Sequence, residues 1–321
     1  MNLRTGESVL TLSIAAVERD TGLSKDTLRV WERRYGFPQP QRDAVGERAY
    51  TLDEVDKLRI VKRLMDAGHR PGRIVPLPMS ALQQLTEQTV DQPQRASEAL
   101  LHDDDLRAHL ARVRSHDTHQ LRAELLRLLA RYGVARFVIE IVGPLNAAVG
   151  DAWIRGQLEV FEEHMYTEVM QGVLRQAIAG LPATTAASRP RVLLGTVPNE
   201  PHGMGLLMAE AVLRLDGCHC VSLGTQTPLW DIVRAAQAMQ ADVVGLSFTG
   251  CMNPNHVVDG LAELRAKLPP GLPLWVGGNA PVLHRRRLEG VTPFATLESV
   301  PGEVQRWRTA HAAALKPAAG G

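Results

Sequence analysis

The sequence predicts a multidomain chain: a winged helix-turn-helix, then a four-helix bundle, then a doubly wound, Rossmann-like α/β domain. Three observations predict it. Residues 11–77 read as short, well-capped helices around one glycine-bearing hairpin. Residues 105–180 carry leucines at helical spacing over long stretches. From residue 190 onward, apolar runs of strand length alternate with helical segments, the pattern of a parallel sheet. A chain of 321 residues is long enough to bury several cores.

Composition narrows the class. Apolar residues make up 45% and charged residues 22%, as in ordinary globular proteins. The net charge of +1 excludes a general polyelectrolyte, so any nucleic-acid site must be local. Three cysteines, Cys218, Cys220 and Cys251, leave an odd count and no framework of bridges. That pattern suits a reducing compartment. Cys218-His219-Cys220 lacks a second ligand pair, so no metal is expected there. The absence of a long apolar run and of a signal-peptide pattern makes a cytoplasmic protein the expectation.

Residues 1–10 are expected to be disordered. Ser13 to Gly22 reads as a short helix closed by its glycine. Ser24 is a good N-cap for a second helix over about Lys25 to Arg34. At 100° per residue Leu28, Trp31 and Tyr35 share one side of it, while Arg29, Arg33 and Arg34 fall on the other. That is either a solvated basic face or a stripe for a nucleic-acid groove. Gly46-Glu47-Arg48-Ala49-Tyr50 offers a hairpin. Thr51 and Glu54 form a capping-box pattern for a helix to about Ala67, stopped by Gly68. Residues 1–78 hold 14 Lys and Arg against 11 Asp and Glu, a local charge of +3. Pro71, Pro76 and Pro78 and a polar stretch predict a linker over 78–104.

The bundle is expected over 105–180, with helices at 105–115, around Leu121, Leu125, Leu128 and Leu129, at Ala135 to Arg155, and at Glu159 to Ala179. Leu181 to Pro190 links it to an α/β domain over 190–308. Strands are expected at Val192–Val197, His219–Gly224, Ala241–Phe248, Pro273–Val276 and Val291–Thr296. Helices follow at Leu206–Leu213, Leu229–Gln240 and His256–Leu268. Residues 309–321 are expected to be a disordered tail.

Three strand ends carry chemistry. Glu200-Pro201-His202 with Gly205 lies on a strand-to-helix loop, at the carboxyl edge where open α/β sheets bind ligands. Glu200 can take one imidazole N–H and leave the other nitrogen basic. Ser247-Phe248-Thr249 and Gly277-Gly278 end two further strands. In the bundle, Trp153 is followed after nine residues by Glu163-His164. Taken singly, these read as a core tryptophan, a solvated glutamate and an exposed histidine.

These motifs resemble known families. Arg29-Val-Trp-Glu-Arg-Arg-Tyr35 and the G-x-R-x-Y wing at 46–50 are similar to the MerR transcription regulators over about residues 11–77. The resemblance implies DNA binding by Arg29, Arg33, Arg34, Arg48 and Tyr50, without saying which arginine reads a base. The E-x-H-x-x-G, S-x-T and G-G series resembles the D-x-H-x-x-G, S-x-L and G-G of the cobalamin domains of methionine synthase and the corrinoid mutases. Glu200 stands where that pattern has Asp, and Thr249 where it has Leu. The order of parts and the W-x9-E-H motif resemble the CarH/LitR group of light-sensing, cobalamin-dependent repressors.

That likeness implies adenosylcobalamin with His202, oriented by Glu200, as lower cobalt ligand. It implies Gly205, Ser247, Thr249, Gly277 and Gly278 along the slot for the nucleotide tail. It also implies the bundle as a cap over the corrin, with Trp153 and Glu163 against the upper ligand and His164 as the cobalt ligand after light. A dark homotetramer bound to a double-stranded operator is implied as well. Two other readings stay open: a regulator sensing cobalamin itself, and a corrinoid methyl-carrier enzyme. The DNA-binding head argues against the enzyme.

Overall fold

A computed structural model describes residues 11–43, 46–66, 68–90, 101–185, 187–286 and 288–312. The expected disorder at 1–10 and over 313–321 lies outside these residues, as does 91–100 of the expected linker. The described residues fall into two compact units.

The first unit is the head, with Ile154–Gln157 assigned to it as well. It comprises β1 (Thr11–Ser13), α1 (Ile14–Thr21), α2 (Lys25–Tyr35), β2 (Gln41–Arg42), β3 (Arg48–Thr51), α3 (Leu52–Asp66), α4 (Pro71–Ile74) and α5 (Met79–Val90). The caps set the boundaries. Ser13 accepts from the amide of Ala16 and Ser24 from that of Thr27. Gly22 and Gly36 close α1 and α2 in the left-handed region, at φ 69° and 67°. Thr51 and Glu54 bond each other's amides, at 2.9 and 3.3 Å, and start α3. The strands form an antiparallel sheet in the order β1-β3-β2, the wing. Val17, Leu28, Trp31, Tyr50, Leu58, Leu64, Ile74 and Leu82 pack one core.

Residues 79–90 are helical, which corrects the expected linker. Pro78 sits just before the first helical residue, where a missing N–H costs no helical bond. Leu82 is fully buried against the head and Thr86 donates to Leu82 O at 2.8 Å.

The second unit begins with α6 (Asp103–Arg114) and α7 (Thr118–Arg136). Gly133, at φ 72° and ψ 166°, breaks the helical path inside α7, so a new helical run starts near Val134. A π-helical segment, Phe137–Val142, leads into α8 (Gly143–Ile154), and α9 (Val160–Ala179) follows. These helices pack on one another around Leu121, Leu125, Phe137, Ile141, Leu145, Tyr166, Met170 and Leu174.

The α/β part comprises β4 (Arg191–Gly195), α10 (Met204–Leu215), β5 (His219–Ser222), α11 (Leu229–Ala238), β6 (Val243–Phe248), α12 (Pro254–Lys267), β7 (Leu274–Gly278), α13 (Val282–Arg285), β8 (Val291–Pro293) and α14 (Val300–Ala310). Helix α14 continues through residue 310 and so takes in the first two residues of the expected tail. All five strands are parallel, in the order β5-β4-β6-β7-β8. Alternate residues serve opposite faces. Val192 and Leu194 join the core with α6–α10 and α14, while Leu193, Val244 and Val276 join the core with α11–α13. The helical segment and one face of the sheet thus share a single core. β4 and β6 are the adjacent strands at which the order reverses, so the loops after them flank the switch-point crevice.

Candidate functional site

The loop between β4 and α10 carries Glu200 and His202. Thr196, fully buried at the end of β4, fixes its path: its hydroxyl donates to Glu200 O at 2.6 Å and accepts from Gln226 N at 2.8 Å. Sequence reading missed this residue; a threonine directly after a buried strand was its only signal.

Glu200 is completely buried and His202 is half-exposed. The carboxylate of Glu200 is divided between two loops. Oε1 lies 2.6 Å from His202 Nδ1, and Oε2 accepts from the Thr249 amide at 2.7 Å and the Thr249 hydroxyl at 2.8 Å. Burial acts to raise the Glu200 pKa, but the hydrogen bonds from His202 and Thr249 outweigh it and hold the carboxyl below its ordinary range. The group is thus an anion. An anion at Oε1 selects the tautomer with the proton on Nδ1, which places the imidazole lone pair on Nε2. A neutral imidazole with an oriented lone pair can ligate a metal.

The remaining predicted residues are spread along the same edge. Ser247 is nine-tenths buried, and a Cβ on Gly205 would lie 2.5 Å from its hydroxyl. Only glycine allows α10 to start so close to β6. Thr249 differs from expectation, since its hydroxyl is given to Glu200 and lies 3.3 Å from His202 Nδ1. A Cβ on Gly278 (φ 111°) would meet Phe248 O at 2.0 Å, so this glycine serves the approach of β7 to β6. At Gly277 the nearest atom would be 4.0 Å away, leaving that position open.

In the helical segment, Trp153 at the end of α8 is partly buried against the shared core. Glu163, in the first turn of α9, accepts from the Thr167 hydroxyl at 2.7 Å. His164 is mostly exposed, with Nε2 3.6 Å from Glu163 Oε2. α9 packs along α10, the helix that starts directly after His202. Tyr166 on α9 donates to Asn146 Oδ1 at 2.6 Å, and Asn146 on α8 reaches Met208 Sδ on α10 at 3.7 Å.

The head presents a second site. Arg29, Arg33 and Arg34 are exposed on α2, as phased from sequence. Two of the named arginines are already engaged. Arg29 pairs with Asp26 at 3.0 Å, and Arg48 pairs with Glu32 at 2.9 Å, tying the wing to α2. The hydrogen bond to Glu32 raises the Arg48 pKa further. The Arg34 guanidinium lies 5.4 Å from the Tyr35 ring centroid. Tyr50 is a correction. It is fully buried in the head core, because β3 turns that side chain inward, so it cannot reach DNA from this position. Glu32 and Asp26 escaped the sequence reading, since acidic residues between arginines look like solvated charge.

Known families and proteins resemble this chain over most of its length. Residues 12–77 match the MerR HTH family regulatory protein model, and residues 106–178 and 190–296 each match a B12 binding domain model. The chain is 33% identical to the HTH-type transcriptional repressor CarH of Myxococcus xanthus, over 82% of this chain and 87% of that protein. It is 28% identical to the repressor CarA of the same organism, over 84% and 87%. A monomethylamine corrinoid protein from Methanosarcina barkeri superposes with a TM-score of 0.47 at 16% identity, covering 62% of this chain and 94% of that one. The chain belongs to the CarH family: it is a cobalamin-binding transcriptional regulator with a MerR-type DNA-binding head, not an enzyme.

Proposed function

We propose that this regulator is a light-released repressor of the cytoplasm. It holds adenosylcobalamin in the dark, assembles as a homotetramer on an operator, and leaves the DNA when illuminated. Trp153 and Glu163-His164 at the adjoining ends of α8 and α9 carry this reading, since a sensor of cobalamin alone has no need of them.

The residues fit a corrinoid. His202 would hold cobalt through the Nε2 lone pair, backed by the buried Glu200 anion. Gly205 and Gly277 line the slot for the tail with backbone, and the Ser247 hydroxyl stands beside Gly205. Adenosylcobalamin supplies a cobalt–carbon bond that light breaks. α6–α9 would form the cap over the cofactor: Trp153 would pack against its adenosyl group, Glu163 would hydrogen-bond to that group, and His164 would be available to cobalt in its absence. Without the adenosyl group the helices would lose that support, and α9 packs on α10, the helix that follows His202. Any displacement of the cap therefore acts on packed, hydrogen-bonded elements.

Disassembly is enough to clear the operator. One small head depends on phosphate contacts and binds weakly. Joining several heads raises avidity by roughly 10²–10⁴, or about 3–6 kcal/mol. Size-exclusion chromatography of adenosylcobalamin-loaded protein, in the dark and after green light, tests the proposal. The expected result is a large species that becomes smaller on illumination. One unchanged elution volume with cobalamin bound would replace the light switch by a sensor of the cofactor itself.

A further inference from the structure

The two positions at which the sequence departs from the cobalamin-domain pattern touch each other. Glu200 replaces Asp and Thr249 replaces Leu, and the Thr249 hydroxyl donates to Glu200 Oε2 at 2.8 Å. We propose that Thr249 is a positioning residue for His202. Its amide and hydroxyl clamp Oε2 of Glu200, so that Oε1 is held for Nδ1–H and the Nε2 lone pair is presented before any cofactor arrives. The proposal rests on His202 as the lower cobalt ligand.

The geometry supports this role in three ways. First, the longer arm of glutamate is matched by a second set of donors. The terminal torsion of a glutamate is soft, so a carboxylate held at one oxygen swings. Here both oxygens are held: Oε1 by the His202 ring and Oε2 by two donors of Thr249. A leucine at 249 would offer the amide alone. Second, the clamp spans the crevice. Glu200 follows β4 and Thr249 follows β6, the two strands at the switch point. Third, the carboxylate is fully buried, so water cannot substitute for a lost donor.

The Thr249 hydroxyl is therefore spent on the protein and not offered to the nucleotide tail. Ser247, whose hydroxyl lies against Gly205, takes no part in the clamp and is the hydroxyl left for the tail.

A thermodynamic cycle separates the two roles of Thr249. Cobalamin affinity is measured for wild type, Thr249→Val, Thr249→Ser, Glu200→Ala and the double variant Glu200→Ala/Thr249→Val. Loss of one charge-assisted hydrogen bond predicts binding about tenfold weaker in Thr249→Val. Thr249→Ser keeps the donor and should stay within about twofold of wild type. In the Glu200→Ala background, Thr249→Val should have no further effect, because the group it acts through is gone. Full additivity would overturn the proposal and make Thr249 a direct contact of the tail.

A second readout needs no cofactor. In ¹⁵N-histidine-labelled apoprotein, at a pH where the ring is neutral, the His202 signals identify the protonated nitrogen; His202→Ala assigns them. Wild type should show the Nδ1–H form, and Thr249→Val a mixture of both tautomers. An unmixed Nδ1–H form in Thr249→Val would also overturn the proposal. If His202→Ala binds cobalamin with an unchanged visible spectrum, the lower-ligand assignment fails instead, while the apoprotein signals still report whether Thr249 orients the ring.

Discussion

Gly277 and Gly278 are neighbours with different duties, and substitution separates them. Gly278→Ala puts a methyl into Phe248 O and a side chain at φ 111°. It should destabilise the chain by about 2–4 kcal/mol, read from denaturant unfolding of the cofactor-free protein. Gly277→Ala meets only an ordinary contact at 4.0 Å, so its stability should be near wild type while cobalamin binding falls. In the head, Arg33→Ala should reduce the slope of log K against log salt by about 1. Arg48→Ala should act differently, since Arg48 already holds Glu32: it loosens the wing and leaves the slope closer to wild type. Salt titration of operator binding by both variants checks this. These residues also show what the sequence disclosed. Glu200 and His202 were legible because their partnership is local, two residues apart. The pairing of Glu200 with Thr249 was not, because it closes across 49 residues and depends on β4 lying next to β6. Tyr50 was misread because G-x-R-x-Y gives the spacing of a wing but not the direction in which β3 turns each side chain.

Elements were legible where caps or alternation marked them. Ser24, Thr51 and Gly22 delimited the helices of the head, and apolar runs marked the inner strands of the large sheet. α5 was hidden by Pro76 and Pro78, which read as breakers although a proline before a helix is compatible with its start. Leu82→Ala should cost the head about 2–5 kcal/mol, as expected for a core leucine and not for a linker residue; thermal or denaturant unfolding decides. α14 had a signal in Val300, Val304 and Trp307, at helical spacing and all buried. α10 carries a testable electrostatic burden. Burial raises the Glu210 carboxyl pKa against the pull of Arg214 and Arg175. A carboxyl with a native pKa above its unfolded one binds more protons when folded. It carries no penalty below the unfolded value near 4.3, and the penalty grows as pH rises through the raised native value. Glu210→Gln should therefore stabilise the protein at pH 7 and have little effect near pH 4, in denaturant unfolding at the two values.

At the scale of the whole molecule, two compact units have separate cores. Cobalamin should then protect one of them. At free cobalamin of about 100 times its dissociation constant, the unit holding His202 gains about 2.7 kcal/mol. The unfolding of the head should stay where it was. Calorimetry with and without cofactor should show one transition moving and the other still; a single transition moving as a whole would show that the units unfold together.

The Glu200–Thr249 clamp also has a meaning for biosynthesis. A ribosome adds about 5–20 residues per second, so the second half of the clamp emerges seconds after His202. The residues of the head's core, the last of them Leu85, have all been made by then. A nascent chain is thus able to fold its DNA-binding part well before it has a finished place for cobalamin. Shortage of cobalamin at that point would yield finished DNA-binding heads on chains whose cofactor site is still empty, so the supply of cobalamin during translation sets how many complete regulators a cell holds.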